Sequence, residues 1–227
     1  MRRFLVIGLG RFGSVLAEAL AQAGGEIIAV DERMELVEAV KDKVAYAAQL
    51  DSMEIESLKA IGAKDVDVAI IAIGEDFEAS VLTTAILKEL GVKEIIARAS
   101  TDREKKILEL VGATKAISIE AEMGKRLARA LVAPSVLEYI ELSEGYSMIQ
   151  WEVDDRFVGK SLAEVGLRSK WGLNLVGTRQ RVATASKEGK PQVVERMELV
   201  PRPDYVFQKG DVLVLVGQQK DLESFTK

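Results

Sequence analysis

Through roughly the first half of the chain, short apolar runs alternate with segments whose apolar positions recur every three or four residues. The runs predict strands at Phe4–Ile7, Ile27–Asp31, Ala45–Ala48, Val66–Ile73, Glu94–Ala99 and Ala116–Ile119. Between them the 3.6-residue pattern predicts helices at Phe12–Ala23, Met34–Lys41, Met53–Ile61, Phe77–Leu90, Arg103–Val111 and Met123–Leu131. The strands are short and almost continuously apolar, as in a parallel sheet covered on both faces. Strict alternation of strand and helix predicts an α/β, Rossmann-like doubly wound sheet. Gly62, Gly91 and Gly112 each sit just past a helix, where a left-handed cap is wanted.

After Pro134 the texture changes. Leu137–Glu144 reads as a bridging segment. Phe157–Gly159, Leu173–Thr178, Val193–Leu199 and Val212–Val216 are strand-like, and Ser161–Leu167 is a short helix with Ser161 as its cap. The polar stretch Thr184–Gln192 holds Gly189 and Pro191 and reads as a loop. Lys209-Gly210-Asp211 is a turn before a strand. The expected organisation is a nucleotide-binding domain over 1–133, a linker or crossover over 134–145, and a smaller α+β domain over 146–227.

The first strand runs directly into Gly8-Leu9-Gly10-Arg11-Phe12-Gly13, and a helix follows at once. The second strand ends on Asp31. This is GxGxxG in the setting it requires, after a strand and opening a helix, with a carboxylate closing the next strand. Gly8 allows the tight turn, Gly10 lets backbone approach a phosphate, and Gly13 lets helix and strand pack closely. The helix start offers unpaired N–H groups to an anion. Asp31 is placed to accept from ribose hydroxyls. No positive side chain replaces it, so a ribose 2′-phosphate would meet repulsion and NADP is disfavoured. Arg11 lies inside the glycine loop, within reach of terminal phosphates. Asp51 follows the third strand and either contacts the adenosine half or caps a helix with Ser52. Ile73 and Gly74 end the fourth strand on the rim where ligands of open sheets sit. Arg98 ends the fifth strand, facing either a phosphate or a structural partner. Glu120 ends the sixth, with Glu122 two residues on, as a carboxylate for a cation or as one of two solvated acids.

Composition narrows the chemistry. There is no histidine and no cysteine among the 227 residues. Ser-His-Asp catalysis, histidine-bound zinc, disulfides and thiolate metal sites are therefore excluded. A dehydrogenase needs an acid–base partner beside its nicotinamide, and none is evident. Tyr205 and Lys209 match YxxxK, but they lead into a turn of the second domain and read as a chance match. An NAD-dependent oxidoreductase or a solitary nucleotide sensor stands as the alternative function. No apolar stretch approaches the ~20 residues of a membrane span, and no signal peptide is visible, so a cytoplasmic protein is expected. Net charge is −5, and the acidic excess lies in residues 1–140, where 23 acidic residues face 18 basic ones. With no basic run interleaved with aromatics, nucleic-acid binding is not expected. Trp151 and Trp171 read as packing residues rather than ligand-stacking ones.

Several segments together carry a family resemblance. Besides the glycine loop and Val30-Asp31, they are Ala72-Ile73-Gly74-Glu75-Asp76, Leu82–Leu90, Glu120 with Met123-Gly124, and Leu137–Leu142. In the second domain they are Val158–Leu162 and Phe207–Gly217. The chain resembles the RCK domain proteins, regulators of potassium transport of the KtrA and TrkA type. The region Arg181–Val200 departs from the resemblance in being longer and more polar. The resemblance implies a subunit without a membrane span that assembles as a homo-oligomer, from a dimer to an octameric ring. The ring lies beneath a separate potassium-translocating membrane protein. It implies gating by exchange of ATP, ADP or NAD(H); the residues that the pattern places at the nucleotide are Gly8, Gly10, Arg11, Phe12, Gly13, Asp31, Asp51, Ile73, Gly74 and Arg98. It implies a divalent or monovalent cation at Glu120, and in some members cyclic di-AMP in the second domain. For that last ligand Arg168 and Asn174 match thinly, with Leu175 beneath a base.

Overall fold

A computed structural model describes residues 1–185 and 191–226. The chain divides into two compact units, Met1–Glu122 and Met123–Lys227. The first is built as the alternating pattern predicts. In chain order it holds β1 (Arg3–Ile7), α1 (Arg11–Gln22), β2 (Glu26–Asp31), α2 (Met34–Val40), β3 (Tyr46–Gln49), α3 (Ile55–Ala60), β4 (Val68–Ile71), α4 (Phe77–Glu89), β5 (Glu94–Arg98), α5 (Asp102–Val111) and β6 (Lys115–Ile117). All six strands are parallel, in the order β3-β2-β1-β4-β5-β6. The order reverses between β1 and β4. That reversal places the carboxyl ends of these two strands side by side, where open α/β sheets take ligands. The Ala72 N–H donates to the Ile7 carbonyl across this point at 2.7 Å.

The two faces of the sheet bury separate apolar clusters. Leu5, Ile7, Leu58, Ile71, Leu87, Ile95 and Leu108 centre one, and Val6, Leu9, Ala17, Ile27, Ala29 and Val40 the other. Adjacent strand positions such as Leu5 and Val6 serve opposite clusters, which is why the runs are continuously apolar. The sequence expectation for the fourth strand ran over Val66–Ile73. Regular pairing stops at Ile71, and Ala72-Ile73 form the rim.

Helix α6 (Ile119–Val132) spans the division between the units. The second unit continues with β7 (Val136–Ser143), β8 (Tyr146–Glu152), α7 (Leu162–Val165), α8 (Leu167–Trp171), β9 (Asn174–Ala185), β10 (Pro191–Leu199), β11 (Val212–Gln218) and α9 (Gln219–Thr226). Its five strands form an antiparallel sheet in the order β10-β9-β11-β8-β7. Trp151, fully buried, centres the core, packed edge-on against Phe157 and Phe225. The Trp151 indole N–H donates to the Ser135 hydroxyl at 3.1 Å. Trp171 meets Phe225 edge-on.

Three sequence expectations are corrected here. Leu137–Glu144, read as a bridge, is mostly the edge strand β7, closed onto β8 by a two-residue turn at Glu144-Gly145 with Gly145 at φ +76°. Phe157–Gly159, read as strand, is a run of turns; Phe157 is apolar because it is core, not because it is extended. Thr184, Ala185, Pro191 and Gln192, read as loop, are paired strand residues of β9 and β10. The rest of that expected loop, 186–190, lies outside the described residues.

Candidate nucleotide site

At the end of β1 the chain turns at Gly8, with φ +89°. A side chain there would be strained, and its Cβ would lie 3.0 Å from the Ile73 nitrogen. A Cβ on Gly13 would stand 1.8 Å from the Gly8 carbonyl oxygen, so only glycine lets α1 lie this close to β1. Gly10 differs. Its φ of −60° and ψ of −170° suit any residue, and an added Cβ would meet nothing within 4 Å. The chain's own packing explains Gly8 and Gly13 but makes no demand at Gly10. The open space beside Gly10 fits backbone kept bare for an approaching ligand.

Helix α1 starts on Gly10 with no side-chain cap and no acidic residue in its first turn. The N–H groups of Arg11, Phe12 and Gly13 have no acceptor among the described residues. Among the other helices Asp76 caps α4, Thr101 caps α5 and Ser161 caps α7, whereas α2, α3 and α8 also start without a side-chain cap. Three unpaired donors at the positive end of a 12-residue helix form an anion seat. The residues present fit a bound phosphate. Arg11, first in the helix, is exposed and makes no ion pair among the described residues. Phe12 is half-buried.

Asp31 is buried, with 8% of its surface exposed, at the end of β2. One carboxylate oxygen accepts from the Leu9 N–H at 2.6 Å, and the other from the Arg33 N–H at 2.9 Å. The aspartate therefore holds the glycine loop in place as well as facing the rim. Beside it stands Arg33, which sequence reasoning did not single out, with its Nε 3.7 Å from Asp31. The available signal was a cation two residues past the strand-end carboxylate.

Asp51 lies near Asp31, because the Leu50 N–H donates to the Asp31 carbonyl at 3.0 Å. Its carboxylate accepts from the Met53 N–H at 2.8 Å, closing a local turn. Helix α3 starts only at Ile55, so the capping alternative for Asp51 and Ser52 is corrected. The Ser52 hydroxyl is instead buried against Thr83 at 2.8 Å.

Ile73 touches the Gly8 turn. Gly74 has a neighbour the sequence did not suggest. A Cβ there would stand 2.7 Å from an Arg98 guanidinium nitrogen, so the room at Gly74 is taken up by Arg98. The two residues line a shallow recess of about 120 Å³ with Asp76, Ser100 and Glu104. Arg98 pairs with Glu120, while its Nε is buried without a partner. A hydrogen bond from its own backbone N–H, and then Arg98, hold the Glu120 carboxyl below the usual carboxylate range. For Arg98 the structural ion pair is what the folded chain contains; its partner Glu120 was expected as a cation ligand or a solvated acid, not as an ion-pair partner. Among the described residues no group of three or more acidic side chains could hold a metal ion.

In the second unit Tyr205 and Lys209 lie on no helix. The Tyr205 hydroxyl donates to Asp211 at 2.5 Å and accepts from Gln180 at 2.6 Å. Burial and Asp211 push its pKa up to about 12. Lys209 faces Asp155 at 3.6 Å. Arg168 and Asn174 are exposed, whereas Leu175 packs against the core.

The TrkA-N domain family matches residues 4–119, and the TrkA-C domain family matches residues 151–227. Ktr system potassium uptake protein C of Bacillus subtilis (strain 168) is 36% identical over 226 residues, covering 100% of this chain and 96% of that protein. Ktr system potassium uptake protein A of the same strain is 32% identical over 224 residues, covering 99% of this chain and 95% of that protein. Among solved structures, the GsuK RCK domain aligns with a TM-score of 0.53 at 21% identity, covering 99% of this chain and 45% of that one. The GsuK channel bound to NAD aligns with a TM-score of 0.53 at 20% identity, covering 99% of this chain and 38% of that one. No helix among the described residues is long and apolar enough to cross a membrane.

Proposed function

The chain belongs to the family of TrkA-N and TrkA-C domain proteins, and from that premise we propose that it is a cytoplasmic, nucleotide-binding regulatory subunit of a potassium uptake system. It gates a separate membrane protein through a ligand-dependent change in an oligomeric ring. The observation that carries this reading is similarity along the whole chain to Ktr system potassium uptake proteins, at 36% and 32% identity. The chemistry of the site supports it.

In this reading the nucleotide diphosphate rests on the N–H groups of Arg11, Phe12 and Gly13, against the bare backbone of Gly10. Asp31, held by the Leu9 and Arg33 N–H groups, turns its remaining lone pairs to a ribose hydroxyl. Gly8 and Ile73 form the floor at the switch point, with Asp51 toward the adenosine side. Arg11 meets the terminal phosphate, the group that separates ATP from ADP. Ligand chemistry at the Gly74–Arg98 recess competes with Glu120 for the guanidinium; a divalent or monovalent cation would be held at Glu120 once it is released. A nucleotide that binds one arrangement better than the other shifts the population toward it.

The reading is non-enzymatic. The chain has no histidine or cysteine, and Tyr205 is committed to Asp211 and Gln180. Assembly uses the exposed apolar residues Met123, Leu127, Leu131 and Val132 of α6, and Leu137, Ile140 and Leu142 of β7.

Calorimetry with ATP and ADP tests the site. Arg11→Ala weakens ATP more than ADP, by roughly 1.5–3 kcal/mol for a charge-assisted contact. Light scattering and small-angle scattering test the assembly. A monomer unchanged by either nucleotide contradicts the regulator.

A further inference from the structure

The aspartate that ends β2 predicts exclusion of a 2′-phosphorylated nucleotide, on the ground that no cation replaces it. The structure adds a cation rather than replacing the carboxylate. The Arg33 N–H is fixed to one Asp31 oxygen at 2.9 Å, which pins the residue at the rim where Asp31 faces the ribose. Its side chain is 56% exposed and approaches Asp31 no closer than 3.7 Å, at Nε. The two terminal nitrogens of the guanidinium donate no hydrogen bond among the described residues. An ion pair this long and this exposed holds its partners weakly. The guanidinium fork is the geometry that takes phosphate oxygens two at a time.

Asp31 is also less repulsive than an isolated carboxylate. Each of its oxygens already accepts a backbone N–H, at 2.6 Å from Leu9 and 2.9 Å from Arg33. Its negative charge is partly answered within the loop, and the unpaired cation stands next to it. A ribose 2′-hydroxyl would use Asp31. A 2′-phosphate would draw the Arg33 fork away from its weak contact.

We propose that Arg33 makes this site accept adenine dinucleotides carrying a 2′-phosphate alongside those with a free 2′-hydroxyl. The proposal rests on the nucleotide reading above and adds a ligand class to it. Arg33 is the residue that sets recognition at the ribose 2′ position.

Calorimetric titration of the full chain with ATP, NADH and NADPH, for wild type and Arg33→Ala, tests this. Wild type is expected to bind NADPH within about tenfold of NADH. Arg33→Ala is expected to weaken NADPH by about tenfold or more, leaving NADH and ATP within about twofold, at an unchanged melting temperature. Binding of NADH and ATP with NADPH excluded overturns this assignment and leaves the nucleotide site standing. Equal weakening of all three ligands also overturns it, because Arg33 would then serve the part they share. Failure of all three to bind overturns this assignment together with the reading beneath it.

Discussion

Helix α1 starts on Gly10 with three bare N–H groups, whereas α7 starts on Ser161 with a complete capping box. In α7 the Ser161 hydroxyl accepts from the Glu164 N–H, and Glu164 accepts from the Ser161 N–H at 2.7 Å. The shorter helix, four residues, satisfies its own end; the longer one, twelve, does not. In the second unit, Asp211 accepts from Tyr205 and from the Gln208 N–H at 2.8 Å, while the buried Thr178 hydroxyl has no hydrogen-bond partner among the described residues. In the first unit, the three donors at the start of α1 lie at the rim, beside a glycine that packing does not require. Unmet backbone donors at the start of a long helix, next to bare glycine backbone at the switch point, mark where an anionic partner fits.

The comparison can be broken first at the second unit's core. Trp151→Ala removes a fully buried side chain between Phe157 and Phe225 and should cost about 3–5 kcal/mol. Thermal unfolding should show that loss while nucleotide affinity at the first unit is retained. Loss of binding with the core would mean that the rim depends on the second unit.

Gly13→Ala should destabilise the first unit by about 3 kcal/mol, since its Cβ would overlap a backbone oxygen at 1.8 Å. A stability within error of wild type in denaturant titration would contradict the packing account of that glycine.

Tyr205→Phe should cost about 1–2 kcal/mol through the bonds to Asp211 and Gln180. The pH dependence has a definite sign. The folded state holds the Tyr205 proton up to about pH 12, above the ordinary value of 10. The unfolded chain releases it first, so the contribution is full below pH 10 and is lost between there and about 12. The variant should lose less stability over that interval than wild type. An identical alkaline slope would remove Tyr205 as its cause.

Ser161→Ala should cost about 1 kcal/mol, the worth of a cap. Its check is chemical denaturation at neutral pH, and no change would mean that α7 is held by Leu162 and Val165 alone.

The elements that were legible from sequence are those whose signals are local. Phe4–Ile7, the glycine loop and Asp31 declare strand, turn, helix and strand end within thirty-one residues. The edge strand β7 was harder, because Leu137–Leu142 carries exposed apolar and charged residues on both faces. Only Glu144-Gly145 marked its hairpin. The paired ends of β9 and β10 were hidden because Thr184 and Gln192 are polar and Pro191 is a turn residue, a loop's composition on residues that are paired in the sheet. At the site, Gly74 suggested room for a ligand, but long-range packing fills that room with Arg98 from another strand. Arg33 was visible as a residue; its hold on Asp31 needed the folded loop.

The central claim is that Gly10 and the bare start of α1 are shaped by a ligand rather than by the fold. Gly10→Ala tests it most directly, measured by thermal unfolding without ligand and by calorimetry with ATP and ADP. The account predicts a loss of about 1 kcal/mol or less, since the new methyl meets nothing within 4 Å and alanine is only a poorer N-cap than glycine. It predicts a fall in affinity of about tenfold or more for both nucleotides. Unchanged affinity, or a loss of stability comparable to that of Gly13→Ala, would contradict it.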